Sequence, residues 1–159
     1  MTQIVAVDIG GTHARFTIAT IGSGTISLAD PVTFKTGDFS SLQTAWEAFE
    51  NRHGAALPKA AAIAIAGPIT GDAVQMTNNT WTIHTGRLDD QLGVDRFTVL
   101  NDFAAVAHAV ANAGAADFIH LCGPDAPLPD TGTISVIGPG TGLGVAHFIR
   151  ADGTYHVQA

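Results

Sequence analysis

Apolar and polar positions fall into a few regular patterns along the chain, and one order of patterns occurs twice. Ile4 to Val7 is an apolar run that ends in Asp8, Ile9, Gly10, Gly11 and Thr12. A run of this length bounded by turn residues predicts a strand buried on both faces. Ala14 to Thr20 alternates, with Phe16 and Ile18 on one face and Arg15 and Thr17 on the other, which predicts a half-buried strand. Gly22-Ser23-Gly24 reads as a turn and Ile26 to Phe34 as a third strand. Three strands joined by short loops make an antiparallel meander. Ser40-x-x-Gln43 has the spacing of a capping box, and Leu42, Ala45, Trp46 and Phe49 then follow helical spacing up to Gly54. Ala60 to Ala66 is continuously apolar and ends at Gly67-Pro68, which predicts a central parallel strand. A short helix is expected after Thr85, with Leu88 and Leu92 on one face and Gly93 at its end. Phe97 to Leu100 reads as a further buried strand. Asp102 to Ala113 reads as a helix apolar almost all round, hence buried, closed by Gly114. Cys122 to Thr131, with three prolines, reads as a loop or a connection between lobes.

Beyond that loop the opening pattern returns. Thr133 to Ile137 is a strand, Gly138 to Gly144 a glycine loop, Val145 to Ile149 a strand, Asp152-Gly153 a turn, and Tyr155 to Val157 the start of another strand. The expected architecture is therefore α/β: a mixed sheet with a three-strand antiparallel meander, then alternating helix and strand. A second copy of the same unit stops after its third strand.

Composition sharpens this picture in two places. Hydrophobic residues make up 46% of the 159 and charged residues 13%, enough apolar material for a sizeable core. The net charge is −7 with only seven Lys and Arg, which argues against a nucleic-acid partner, because that affinity rests on cationic contacts to phosphates. Cys122 is the only cysteine, so no intrachain disulfide forms. With no secretory signal at Met1-Thr2-Gln3, a cytoplasmic location is expected. No apolar run approaches the roughly 18 residues of a membrane span.

The glycine-rich junctions are where chemistry is expected. Two glycines after a strand let the backbone turn sharply and approach a ligand, and N–H groups in such a turn form an anion-binding concavity. Asp8 at its mouth suits a Mg²⁺ ion carried by a polyphosphate. An ordinary hairpin turn that needs glycine explains the same residues. Gly140, Thr141 and Gly142 offer N–H groups and a hydroxyl to phosphate oxygens in the second loop. Neither a P-loop nor a dinucleotide fingerprint is present. Asn101-Asp102 lies where a strand meets a helix, at the strand end where open α/β sheets bind ligands. Helix capping explains this pair, and so does a general base beside a hydroxyl nucleophile. Met76 to Trp81 offers Asn and Thr groups, Asn78 among them, suited to a sugar; a turn with a packed tryptophan is the competing reading. The seven histidines are scattered without ligand spacing, so no zinc site is expected.

Five segments together resemble the bacterial glucokinases, members of the actin-like, ribonuclease-H-like superfamily that includes hexokinases. They are Asp8-Ile-Gly-Gly-Thr12-His-Ala-Arg15, Ala62 to Asp72, Met76 to Trp81, Asn101-Asp-Phe103 and Gly138 to His147. The resemblance implies a hexose kinase, a phosphotransferase with an alcohol acceptor, that converts ATP and D-glucose into ADP and glucose 6-phosphate in glycolysis. It implies Asp102 as catalytic base and substrate ligand, with Asn101 beside it as a sugar ligand, and Asn78 as a further substrate-binding residue. It implies Gly10, Gly11 and Thr12 in a first ATP-phosphate loop with Asp8 near Mg²⁺, and Gly140, Thr141 and Gly142 in a second. Residues 1–112 would form the small lobe and residues 113–159 the beginning of a large one. His13 and Pro139 stand where the family usually has Asn and often has Ala. A Gly-Glu-Gly-Gly-His-type segment follows the position of Ala159 in the family. The expectation is thus an N-terminal part of a longer enzyme, inactive alone, with a homodimer of the longer protein compatible with it. A non-enzymatic nucleotide-binding or interaction module is the alternative.

Overall fold

The register of the main sheet follows from the apolar alternation in its first strand. The computed structural model describes residues 1–76, 79–139 and 143–159. Strand β1 (Thr2–Ile9) buries Val5, Val7 and Ile9 on one face. Its antiparallel neighbour β2 (His13–Gly22) sets Phe16 opposite Val7 and Ala14 opposite Ile9, on that same face. The hairpin continues through Ser23-Gly24 into β3 (Thr25–Leu28). Both turn residues have positive φ, 51° and 78°, the pair of values that a two-residue type I′ connection requires.

The expected third strand is in fact two. Asp30-Pro31 interrupts it, and β4 (Val32–Lys35) follows. Proline has no N–H to give to a ladder, so the pairing stops and restarts. The outer edge of β2 is shared as a result. Residues 19–22 pair with β3, and residues 13–16 pair with β4.

Helix α1 (Leu42–His53) covers the buried face. Phe16 stacks on Phe49 with ring centroids 5.4 Å apart and meets Trp46 edge-on at 6.4 Å. The capping box sits one residue later than its sequence spacing predicts. Ser41 Oγ accepts from the Thr44 N–H, and Thr44 Oγ1 accepts from the Ser41 N–H. Gln43 instead donates to Glu47, one turn on. Gly54 ends the helix as expected.

β5 (Ala60–Ile65) runs parallel to β1 and lies between it and β8 (Arg96–Asn101), which makes it the central parallel strand that its apolar run predicts. A small antiparallel hairpin, β6 (Ala73–Gln75) with β7 (Thr82–His84), went unseen in the sequence pattern because its strands are only three residues long. It adds Val74, Trp81 and Ile83 to the core, next to Leu88 and Leu92 of α2 (Leu88–Leu92). All of this packs on one face. The other face of β1 and β5, with Ala6, Asp8, Ala62 and Ala64, is only half-buried, so the expected burial on both faces does not occur. β8 is likewise not buried throughout, because it forms the end of the strand order among the described residues.

The chain divides into two compact units, Met1–Asp102 and Phe103–Ala159. The reason is packing. Helix α3 (Asp102–Asn112) lays Ala107 against Ala146 and Phe148 of a second sheet, with Phe103, Val110 and Val136 around them. That sheet is a meander of β9 (Gly132–Pro139), β10 (Leu143–Ala151) and β11 (Thr154–Gln158). Its turn, Asp152-Gly153, again has two positive φ values, 52° and 73°. The strand, loop, strand, type I′ turn, strand order of the first unit therefore returns. Arg150 straps this unit together by donating to the carbonyls of Ala111 and Pro129. The expected full burial of α3 does not hold. Only Ala107 is fully buried, because a three-stranded sheet covers one side of a helix.

Candidate functional site

The parallel strands of the first unit end level with one another. Ile9 of β1 is in register with Ile65 of β5, and Ile65 with Asn101 of β8. The Gly10 loop, the Gly67 turn and Asp102 therefore emerge along one carboxyl edge. Two strand spacings, about 10 Å, separate Ile9 from Asn101. Gly10 and Asp102 lie 92 positions apart along the chain; the sheet register brings them to one rim. This is the side on which open α/β sheets bind ligands.

Three contacts shape that rim. The Ala66 N–H donates to the Ile9 carbonyl at 2.9 Å, which carries the β1–β5 ladder to the loop. Asn101 Nδ2 donates to the Gly67 carbonyl at 3.0 Å, so the Asn side chain pins the turn after β5. Gly67 has φ 153°, and a side chain there would strain the backbone that presents this carbonyl. Asp102 follows directly as the first residue of α3, half-buried.

The Gly10–His13 loop is tight and held from one side. The Gly10 N–H donates to the His13 carbonyl at 2.9 Å. The Gly11 and Thr12 carbonyls both accept from Thr36, from its hydroxyl at 2.9 Å and from its N–H at 3.0 Å. Thr36 is 2% exposed, the one buried polar residue in the core among the described residues. Asp8 stands beside the loop on the half-open face, where Arg15 reaches its Oδ2 at 2.8 Å across the β1–β2 pair. Both side chains remain about half exposed, at 50% and 54%. An exposed, hard-oxygen carboxylate with one oxygen engaged fits a hydrated Mg²⁺ carried in by phosphates. Among the described residues no cluster of three His, Cys, Asp or Glu could hold a metal ion by itself.

Asn78, Gly140, Thr141 and Gly142 lie outside the described residues. Around them the structure is informative. The Met76–Trp81 segment closes the β6–β7 hairpin through Met76 N–H to Trp81 carbonyl. Trp81 is 1% exposed, and its indole N–H donates to the Phe39 carbonyl at 2.9 Å, so the tryptophan itself is packed. Asn79 Oδ1 accepts from the Trp81 N–H at 2.7 Å. In the second unit, Gly138 and Gly144 face each other across β9 and β10, and the Phe103 ring lies over both. A Cβ at either position would run into that ring. These two glycines are thus explained by close packing of a ring on a sheet. Thr36 had no part in the sequence reading, and Arg15 and Gly67 entered it only within motifs and at a strand position and a strand end, with no role of their own. Thr36 sits in the polar stretch Lys35-Thr36-Gly37-Asp38, where only strand register reveals what it touches.

The mixed sheet, its meander and its repeat in the second unit define a class: the sugar kinases of the actin-like ATPase fold. A solved glucokinase from an Antarctic psychrotroph superposes with a TM-score of 0.85 at 31% identity, over 99% of this chain and 49% of that one. A hexokinase from Schistosoma mansoni complexed with glucose shares the fold at TM-score 0.57 and 15% identity, over 93% of this chain and 36% of that one. The glucokinase family model matches residues 5–159, and the chain belongs to the glucokinase family. Glucokinase of Zymomonas mobilis subsp. mobilis is 51% identical over 156 residues, 98% of this chain and 48% of that protein. The chain spans about half the length of the curated relatives it matches.

Proposed function

We propose that this chain carries the phosphate loop and the proton acceptor of an ATP-dependent glucose kinase, which forms glucose 6-phosphate and ADP. The observation that supports it most is the shared rim: the Gly10–Thr12 loop and Asn101-Asp102 follow the level ends of β1 and β8, parallel strands of one sheet with β5 between them. The family membership narrows the chemistry from nucleotide binding to hexose phosphorylation.

In this reading the loop N–H groups receive the phosphate oxygens of ATP. Asp102 accepts the proton of the sugar 6-hydroxyl as that oxygen attacks the terminal phosphorus. Asn101 donates its amide hydrogens near the sugar hydroxyls while holding the Gly67 turn. Asn78 and the Gly140–Gly142 loop complete the sugar and nucleotide contacts. Asp8 would hold Mg²⁺, which supplies charge neutralisation across the phosphates. Phosphoryl transfer asks for positioning and electrostatic stabilisation more than covalent work by the protein, and this inventory is of that kind. Residues 1–112 belong to the small lobe of such an enzyme and residues 113–159 to the start of the large lobe. A cytoplasmic location belongs to the same proposal; among the described residues no helix is long and apolar enough to cross a membrane. A non-enzymatic module is not favoured by relatives that are themselves glucokinases.

Calorimetric titration of this chain with Mg·ATP tests the nucleotide half of the reading, and binding is the expected result. A coupled assay for glucose 6-phosphate on a chain extended to the length of the relatives tests the rest. Turnover of another phosphoryl acceptor in place of glucose would overturn the substrate assignment.

A further inference from the structure

We propose that Thr36 is a positioning residue for nucleotide phosphate, orienting the first glycine loop from behind. The inference rests on the phosphate-loop reading above and goes further, since no motif includes Thr36. β4 runs antiparallel to β2 with Lys35 opposite His13, so the end of β4 arrives beside the loop. Thr36 then spends both of its donors there. Its hydroxyl takes the Gly11 carbonyl and its N–H takes the Thr12 carbonyl.

A trans peptide points its C=O and N–H in opposite directions. The structure has no cis peptide bonds. The Gly11 carbonyl shares its peptide with the Thr12 N–H, and the Thr12 carbonyl shares its peptide with the His13 N–H. Fixing both carbonyls toward Thr36 therefore turns both N–H groups away from it, side by side. Consecutive N–H groups presented together form an anion-binding concavity. Of these two, the Thr12 N–H donates to no backbone acceptor among the described residues. The burial of Thr36 matters for the same reason. Water does not compete for its hydroxyl, so the loop keeps one orientation before any ligand arrives. The ligand class is a polyphosphate, and the contribution of Thr36 is preorganisation rather than contact.

The test uses this chain, inorganic tripolyphosphate as probe, and the variants Thr36→Val and Thr36→Ser. Valine keeps the shape and removes the hydroxyl, so tripolyphosphate affinity should fall about tenfold, the upper range for one hydrogen bond. Serine keeps the hydroxyl and should restore affinity to within about twofold. In the unaltered chain, tripolyphosphate should shift the Thr12 and His13 amide resonances more than those of β3. A merely structural threonine would lower the unfolding midpoint without moving those amides or separating Ser from Val. Binding that is equal in Thr36→Val and the unaltered chain overturns the proposal. So does a tenfold loss in Thr36→Ser, or binding that leaves the Thr12 and His13 amides unmoved. The last two readouts stand even where Thr36→Val fails to fold. If the unaltered chain binds no tripolyphosphate at all, the phosphate-loop reading itself has failed instead.

Discussion

The two meanders of this protein share a plan and differ in what covers them. β1, β2 and β3 follow the order of β9, β10 and β11, and both second hairpins close with a type I′ turn. Val5, Val7, Ile9, Ala14 and Phe16 of the first are buried under α1, α2 and the β6–β7 hairpin. In the second, among the described residues, only Ala146 and Phe148 are fully buried, against α3, and Ile137, Leu143, Val145 and Ile149 are exposed. The difference teaches that strand pattern and turn chemistry are local, while burial depends on how many elements pack on the sheet. Glycine follows the same division. In the first loop a Cβ at Gly10 would lie 3.4 Å from the His13 carbonyl oxygen, whereas Gly138 and Gly144 make room for the Phe103 ring.

The largest test concerns the chemistry proposed for the rim of the first unit. In a chain extended to the length of the relatives, Asp102→Asn should lower kcat by about 10²–10⁴, the usual range for a general base. Mg·ATP affinity should stay unchanged. Retained turnover in the coupled assay would remove Asp102 from that role.

Core truncations come next and probe the unequal cover. Phe16→Ala should destabilise the first unit by about 3–5 kcal/mol, since it loses its contacts with Phe34, Trp46 and Phe49 together. Phe148→Ala should cost less, because Ile134, Val136 and Tyr155 around it are only partly buried and can close in. Urea unfolding followed separately in each unit reads both values, and equal losses would contradict the comparison. Gly144→Ala should cost about 1–3 kcal/mol by overpacking against Phe103, and a smaller ring at 103 should restore part of it.

Turn substitutions should erase the contrast. Gly24→Ala and Gly153→Ala each place a side chain at positive φ and should each cost about 1 kcal/mol. Thermal unfolding that shows one turn far more sensitive than the other would mean that cover reaches even there. The smallest effect belongs to the half-exposed pair. Arg15→Ala should change stability by less than about 1 kcal/mol, as exposed ion pairs do.

The sequence by itself determined whatever depends on neighbours along the chain. Strand periodicity, the two turns at Gly22–Gly24 and Asp152-Gly153, the spacing of α1 and its end at Gly54 are local, and they were legible. Asp8 to Thr12 and Asn101-Asp102 stood out because each follows an apolar run at a strand end, although a glycine turn and a helix cap account for the same residues. Errors were also local in kind: Pro31 broke a strand that hydrophobicity alone continued, and the α1 cap moved by one residue to Ser41. Only the tertiary structure decided which faces are covered, that α3 packs with the second sheet, and that Thr36 holds the Gly11 and Thr12 carbonyls. These depend on register between strands far apart in the chain. A one-residue slip in β4 would send Thr36 to the other face while leaving its composition unchanged. The glycine loop was readable as a place where an anion could bind; the residue that aims it was not.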